Sequence, residues 1–558
     1  MAKTFLNQRL KRFIILFLGT LIVMGITVAG YAFTTLLLSS NSTPVSSSNA
    51  PACGSPTGGE MDHAIATFYN NNGQGEVTPN WTNNIKWDCV YNIKDFTGSN
   101  LVEQFNAARD AAAKNGGGVV YFPSGTYNFN DSIKLKSGVV IRGETPQVRS
   151  AKLKDYNPPA KLVFPQYKPQ LSGNVTPNET AFKSIQTTTP DQDSNIGIIN
   201  LDINRASIDF VGNLDNSKNN NIIIFGIRSN NVAKPDPQVP NLEFQHPWQR
   251  YSHRFASNIE VTAYQNVLIA NNRINDNITD NYEQPGYRLQ SKDKKNILTY
   301  QEGDKVPFHY GNHYGIIVNR GGKKEGFQLA ATPTTEPGLF RKGIIIRDNW
   351  VYHTMRVGIH ASGDGLIIED NEIQDDPNKQ WWTDPTGTRE ATGAVTLENR
   401  GIDWSGWNVL IAGNDYQVYR HHIGETNYLS VDGEGILIQE CCGGTTVNNV
   451  IIKNNKGNAY IGLYKVQNIN NAIIENNQIN NSDIFVMADT NNQPYSMNQV
   501  KIMNNQVSGN IIAKASLGGQ GNEISGNQGN QRGKIDYSCS IEINNNSGFN
   551  LQPCTPLR

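Results

Sequence analysis

NVIIKNN (449–455) and NAIIENN (471–477) stand 22 residues apart and are nearly the same seven residues. The pattern is small or Asn, apolar, any, Ile, any, then Asn, Asp or Gly, then Asn. It recurs as NVLIANN (266–272), GIIIRDN (343–349), GLIIEDN (365–371), NVLIAGN (408–414) and QVKIMNN (499–505), with a degenerate NEISGN at 522–527. The closing residues are Asn272, Asn349, Asn371, Asn414, Asn455, Asn477, Asn505 and Asn527. Three of the steps are 22 residues, and those from Asn371 to Asn414 and on to Asn455 are 43 and 41, near twice that. A fixed period in the twenties marks a stacked repeat.

Each unit is a short β-branched run closed by Asn, which reads as a strand and a turn. Asn tolerates the left-handed backbone region, and stacked Asn side chains can hydrogen-bond as a ladder. A second strand precedes each motif: NIEVTAY (258–264), GIIVN (315–319), GIHAS (358–362), AVTLEN (394–399), GILIQE (435–440), YIGLYK (460–465) and DIFVMAD (483–489). The two families alternate without an intervening helical pattern. The expectation is an all-β chain wound about an axis, a single-stranded parallel β-helix. The L-x-x-L-x-L signature of leucine-rich repeats is missing.

The chain has 558 residues, a net charge of −1 and 17% charged residues. A solenoid can use that length as one domain. Near-zero charge without a basic stripe argues against a nucleic-acid partner. Residues 1–12 hold Lys3, Arg9, Lys11 and Arg12, and Phe13 to Leu38 carries no charge. A span of about 20 apolar residues crosses a bilayer. Basic residues before it place residues 1–12 in the cytoplasm and the remainder outside. The segment 13–38 is read as a transmembrane anchor, with a cleaved signal peptide and a secreted protein as the alternative. Residues 39–60 form a flexible linker, and 61–558 the β-helix domain. Six cysteines suit an oxidising compartment. Cys53–Cys89 and Cys539–Cys554 are the plausible pairs, the latter stapling a C-terminal cap over 530–558, and Cys441 and Cys442 are expected not to bond each other.

Before the repeats, residues 90–144 hold Leu101, Phe105, Ala108 and Ala112 at helical spacing. Ser99 or Asn100 can cap this helix and Gly116 can end it. The strands GVVYFP, GTYNFN, SIKLKS and GVVIRGE follow. A helix there would cover the open edge of the first coil. Through KDF (94–96), AAAKNGGG (111–118), VVYFPSGTY (119–127) and GVVIRGE (138–144), this stretch resembles the pectate-lyase superfamily, the rhamnogalacturonase/epimerase-like β-helix domain. The resemblance implies a right-handed β-helix with an N-terminal capping helix, and a reaction anywhere among hydrolases, lyases, epimerases and tailspikes. One departure stands out: TGSN (97–100) replaces the Asp-rich stretch usual after KDF, read as loss of a capping turn.

Side chains alternate along a strand. Aligning the second family on its apolar positions turns Glu260, His360 and Glu398 to one outward face. Insertions 275–312, 374–392 and 417–434 enter just before these strands and bring Trp381, Trp382, Tyr419 and His421 beside it, residues suited to stacking on sugar rings. His313, Arg356, Asp432 and Glu434 fall at the loop-to-strand junctions. Glycoside hydrolysis needs one protonated and one ionised carboxyl. Glu398, Asp432, Glu434 and His360 are the candidate catalytic residues, and Arg356, His313, Glu260, Trp381, Trp382, Tyr419 and His421 the candidate substrate contacts. Acidic candidates outnumber basic ones, which favours cleavage of a polysaccharide by hydrolysis. A lyase or epimerase is the alternative, with Ca²⁺ as its cation if a lyase; a non-catalytic glycan-binding or envelope-structural β-helix is the third. No cofactor or metal is otherwise expected, and the sequence leaves the oligomeric state open.

Overall fold

The computed structural model describes residues 80–146, 153–165, 183–189, 193–212, 221–232, 257–262, 266–275, 287–293, 297–302, 314–319, 343–352, 357–374, 400–418, 433–438, 446–490 and 493–557. The segment 13–38 therefore lies outside the described residues. Among those described, no helix is long and apolar enough to cross a membrane.

The repeat motifs fold as strands paired in parallel with the corresponding strand one coil earlier and one coil later. Val267–Ala270 pairs with Ile344–Arg347, which pairs with the second half of Val357–Glu369, and that in turn with the second half of Arg400–Ala412. The preceding strand family stacks in the same way through Ser257–Thr262, Tyr314–Asn319, the first halves of Val357–Glu369 and Arg400–Ala412, Glu434–Ile438 and Tyr460–Val466. The chain is all-β with large parallel sheets, consistent with the β-helix read from the period. We call these the second and first faces.

Two readings are corrected. A third face follows each repeat motif, made of strands of only two to four residues, among them Arg273–Asn275, Trp350–Tyr352, Glu372–Gln374 and Asp415–Gln417. Such stubs show too few alternations to be seen in sequence. Further, the first-face strand between GIHAS and GILIQE is not AVTLEN but the beginning of Arg400–Ala412, GIDWSG (401–406). Two of the coils run from the first face to the second in one bent strand. At the bend Gly406 has φ +144°, and a Cβ there would lie 1.9 Å from the Gly363 carbonyl oxygen, so the coils can close up only without a side chain.

The motif's last two residues divide the turn between them. The penultimate residue takes the left-handed backbone: Asn271, Asp348, Asp370, Asn454, Asn476 and Asn504 have φ of 52–56°, and Gly413 and Gly526 fill the same place. The closing Asn turns inward and forms the ladder. Asn371 Nδ2 donates to Asn414 Oδ1 at 2.9 Å and to Ile346 O at 3.0 Å, and its backbone N–H donates to the same Asn414 oxygen at 3.0 Å. The same side-chain link runs from Asn272 through Asn349, Asn371, Asn414, Asn455, Asn477 and Asn505 to Asn527, then on to Asn546. Buried amides are thereby satisfied at every coil.

Inside the stack, Ile259, Val261, Ile316, Val318, Ile359, Ala361, Ile402, Trp404, Ile436 and Ile438 join one continuous apolar core. At its N-terminal end lies the helix Leu101–Lys114. Asn100 Oδ1 accepts from the Glu103 N–H at 3.1 Å, and Ser99 donates to the Glu103 carboxylate through its N–H and hydroxyl. TGSN thus supplies a cap rather than losing one: Asn100 is the N-cap, and Glu103 holds Ser99 before it. Phe105, Ala108 and Ala112 are buried, and the Phe105 ring meets Phe122 and Phe129 of the first coils. At the other end a disulfide joins Cys539 to Cys554. Cys89 is also disulfide-bonded; Cys53, like Cys441 and Cys442, lies outside the described residues.

Candidate active site on the first face

Parallel pairing in register brings residues from successive coils into rows along the stack, about 4.8 Å apart. The outward row of the first face reads Asp209, Glu260, Ile317, His360, Asp403, Leu437, Gly462, Phe485. Beside it runs a second polar row, Thr262, Asn319, Ser362 and Ser405, in which the Ser362 hydroxyl donates to Asn319 Oδ1 at 2.9 Å. On its other side Tyr314, Val357, Arg400, Glu434 and Tyr460 follow one another.

Glu260 and His360 thus share a row as anticipated, two coil steps apart with Ile317 between them. They are not solvated: Glu260 is 7% exposed and His360 0%. Position 398 does not hold the next place in the row. Asp403 does, and Glu398 lies outside the described residues, as do Asp432, His313, Arg356, Trp381, Trp382, Tyr419 and His421. A signal for Asp403 was available. GIDWSG repeats GIHASG (358–363) at an offset of 43 residues, the same offset that separates Asn371 from Asn414.

The charged groups of this face connect across three coils. His360 Nδ1 lies 3.4 Å from Asp403 Oδ2, and Arg400 Nη1 lies 3.1 Å from the same oxygen. Arg400 Nε forms a close ion pair with Glu434 Oε2. The Tyr314 ring stands edge-on to His360 with centroids 5.8 Å apart. Burial pushes the Asp403 carboxyl up, but His360 and Arg400 beside it more than reverse this and hold it below the usual carboxylate range. Asp403 is therefore held in its carboxylate form although it is buried. Burial, and then the charge of Glu434, push the Tyr460 phenol up, so it keeps its proton; its hydroxyl lies 3.1 Å from that of Tyr464. At the N-terminal end of the row Asp209 and Glu260 are register neighbours, and the Thr262 hydroxyl donates to Glu260 Oε1 at 3.5 Å.

The arrangement supplies a carboxylate fixed in its basic form, an imidazole against it, and a cation able to balance negative charge. These are the parts of a general acid–base centre. Among the described residues no group of three or more His, Cys, Asp or Glu side chains is placed to hold a metal ion.

No curated protein sequence matches the chain. Among solved structures it is similar to PfbA, a surface adhesin of Streptococcus pneumoniae, at 14% identity over 83% of this chain and 90% of that one, with a TM-score of 0.38. It is similar to the catalytic unit of an α-1,3-glucanase from Streptomyces thermodiastaticus at 12% identity over 84% and 70% of the two chains, with a TM-score of 0.39. A family 28 exopolygalacturonase of Yersinia enterocolitica aligns at 11% identity over 83% and 78%, with a TM-score of 0.31. Residues 93–262 match the family model described as rhamnogalacturonase A/epimerase, pectate lyase-like. That match takes in the capping helix, the first coils, Asp209 and Glu260, and ends before His360 and Asp403. Over residues 93–262 the chain is thus similar to the pectate-lyase-like domain of the rhamnogalacturonase A/epimerase family.

Proposed function

We propose that this protein is a membrane-tethered, extracytoplasmic, right-handed β-helix enzyme that acts on polysaccharide and cleaves its glycosidic bonds by acid–base chemistry on the first face. The observation that carries the reading is the contact of His360 with Asp403 one coil away, continued through Arg400 to Glu434. In it Asp403 takes the place in the row that the sequence alignment assigned to Glu398. Asp403 acts as the ionised partner, which stabilises positive charge developing on the sugar. His360, in contact with it, is the candidate donor to the leaving oxygen. Glu434 holds Arg400, and Arg400 orients Asp403. Glu260 lies two coil steps from His360 along the same row, in reach of the next sugar. Export rests on Phe13–Leu38 and its basic flank.

A second reading is favoured by one feature: Arg400 engages both Asp403 and Glu434, which ties both carboxylates into ion pairs. Elimination or epimerisation at a uronate would instead use His360 and a phenol such as Tyr460 or Tyr314 for proton transfer. Incubating the full-length protein with neutral and uronate polysaccharides separates these. New reducing ends without ultraviolet absorbance mean hydrolysis. Absorbance of an unsaturated uronate means elimination, and a changed uronate stereochemistry without chain cleavage means epimerisation. Retention on the polysaccharide with no product would mean a binding protein and would end the catalytic proposal.

A further inference from the structure

Two coil steps beyond Asp403, the outward row reaches a residue with no side chain. A Cβ on Gly462 would meet Tyr464 Cδ1 at 2.9 Å and Tyr460 Cε2 at 3.0 Å. Two tyrosine rings from the same strand therefore lie across the strand over Gly462, where even a methyl group would lift them. Phe485, the register partner of Gly462 on the next coil, closes the group. Its ring is perpendicular to Tyr460 with centroids 5.4 Å apart and is 6.4 Å from Tyr464; the two tyrosines are 6.2 Å apart. All three are partly exposed. None belongs to the interior core or packs against it, so filling the coil does not account for them. The Tyr460 and Tyr464 hydroxyls meet at 3.1 Å on the side of the group where Tyr460 adjoins Glu434.

A surface with aromatic faces and a hydroxyl edge matches a pyranose, which has apolar C–H faces and a polar rim. We infer that Tyr460, Tyr464 and Phe485 form a stacking subsite for a sugar residue of the same polysaccharide whose reacting bond sits at His360 and Asp403. This rests on the polysaccharide reading above and adds a direction to it: the glycan runs along the stack axis, across the strands. Asp403 and Gly462 are two strand spacings apart, about 9.6 Å, within the reach of a short oligosaccharide. Phe485 supplies an apolar wall, and the paired phenols supply hydrogen bonds to ring hydroxyls. The specificity is for the shape and hydroxylation of the sugar rather than its charge.

The test is affinity electrophoresis of the full-length protein in native gels cast with polygalacturonate, alginate, a soluble α-glucan or a soluble β-glucan. At least one of these is expected to retard the wild-type protein. Phe485→Leu is expected to weaken that retardation by about 3- to 10-fold in apparent Kd, the size of one aromatic contact. Tyr464→Phe keeps the ring and guards against a folding defect; it is expected to melt with the wild type and to bind about threefold more weakly, through loss of the hydroxyl. If the wild type is retarded and both variants match it, the subsite is overturned while the polysaccharide reading stands. If none of the four polymers retards the wild type, the polysaccharide reading falls and takes the subsite with it.

Discussion

His360 and Asp403 are 43 residues apart in sequence, yet the Nδ1 of one lies 3.4 Å from the Oδ2 of the other, because each is the outward residue of the same strand position on neighbouring coils. If this contact is the reactive centre, Asp403→Asn should lower kcat/KM by about 100-fold or more, the usual loss when a general acid–base partner is removed. Initial rates of reducing-end release on the responsive polysaccharide measure this. Because the Asp403 carboxyl is held below its ordinary value, the ionised form stabilises the fold. That contribution is complete above the unfolded pKa of about 3.9 and is lost as pH falls through the lower folded value. The wild type should therefore lose part of its advantage over Asp403→Asn below about pH 4, read as converging melting temperatures.

Arg400→Met removes the cation shared by Asp403 and Glu434 and leaves a carboxylate that is 1% exposed without its guanidinium. Stranding a buried charge costs about 3–5 kcal/mol. Chemical denaturation at neutral pH should show that loss, and a double variant with Asp403→Leu should recover part of it.

Asp348 and Asp370 occupy the left-handed turn position on adjacent coils, and burial together with the Asp370 charge raises the Asp348 carboxyl to about 6. Here the sign is opposite to that of Asp403. The protonated form is the one the fold favours, so its contribution is complete below the unfolded pKa of about 3.9 and is lost as pH rises through 6. Asn serves at the same turn in Asn271 and Asn454. Asp348→Asn should accordingly stabilise the protein at pH 7 by about 1–3 kcal/mol and by much less at pH 4. Thermal melts at the two pH values check it.

Asn414→Ala breaks the ladder in its middle. Asn371 loses the acceptor for both its N–H and its Nδ2, and Ile368 O loses a donor. Unsatisfied buried groups cost about 1–3 kcal/mol each, so a loss of several kcal/mol is expected. Hydrogen exchange should show it centred on the coils that carry Asn371 and Asn455.

The Cys539–Cys554 disulfide closes a loop of 15 residues, worth about 3 kcal/mol by chain entropy. Cys554→Ser should lower stability by about that amount, with faster exchange confined to the strands Lys534–Tyr537 and Ile541–Asn544.

What the sequence disclosed was whatever each coil states locally. Asn272 to Asn527 announce the coil because every turn needs the same amide in the same place, and Leu101 to Lys114 announce a helix through spacing and caps. The third face went unread because two or three residues carry no period. The site was half legible. Glu260, His360 and Glu434 could be placed from the sequence because they fall on or beside regular strands. Asp403 was missed because AVTLEN imitates the alternation of its true strand more closely than GIDWSG does. In that strand Trp404 and Asp403 replace the small and imidazole side chains of the coil before. Only the constant offset of 43 residues, applied to the first face as well as to the Asn row, distinguishes them.

Every amide in the Asn row points the same way, with its Nδ2 toward the acceptor that arrives later in the chain. The stack consequently has a growing end. Each newly added coil completes the one before it and leaves its own donors for the next, so assembly can keep pace with a chain emerging N-terminus first. It also makes length modular. Excising the 22 residues from Lys456 to Asn477 would bring Gln478 directly behind Asn455 and leave the row continuous, giving a shorter rod with the same seams.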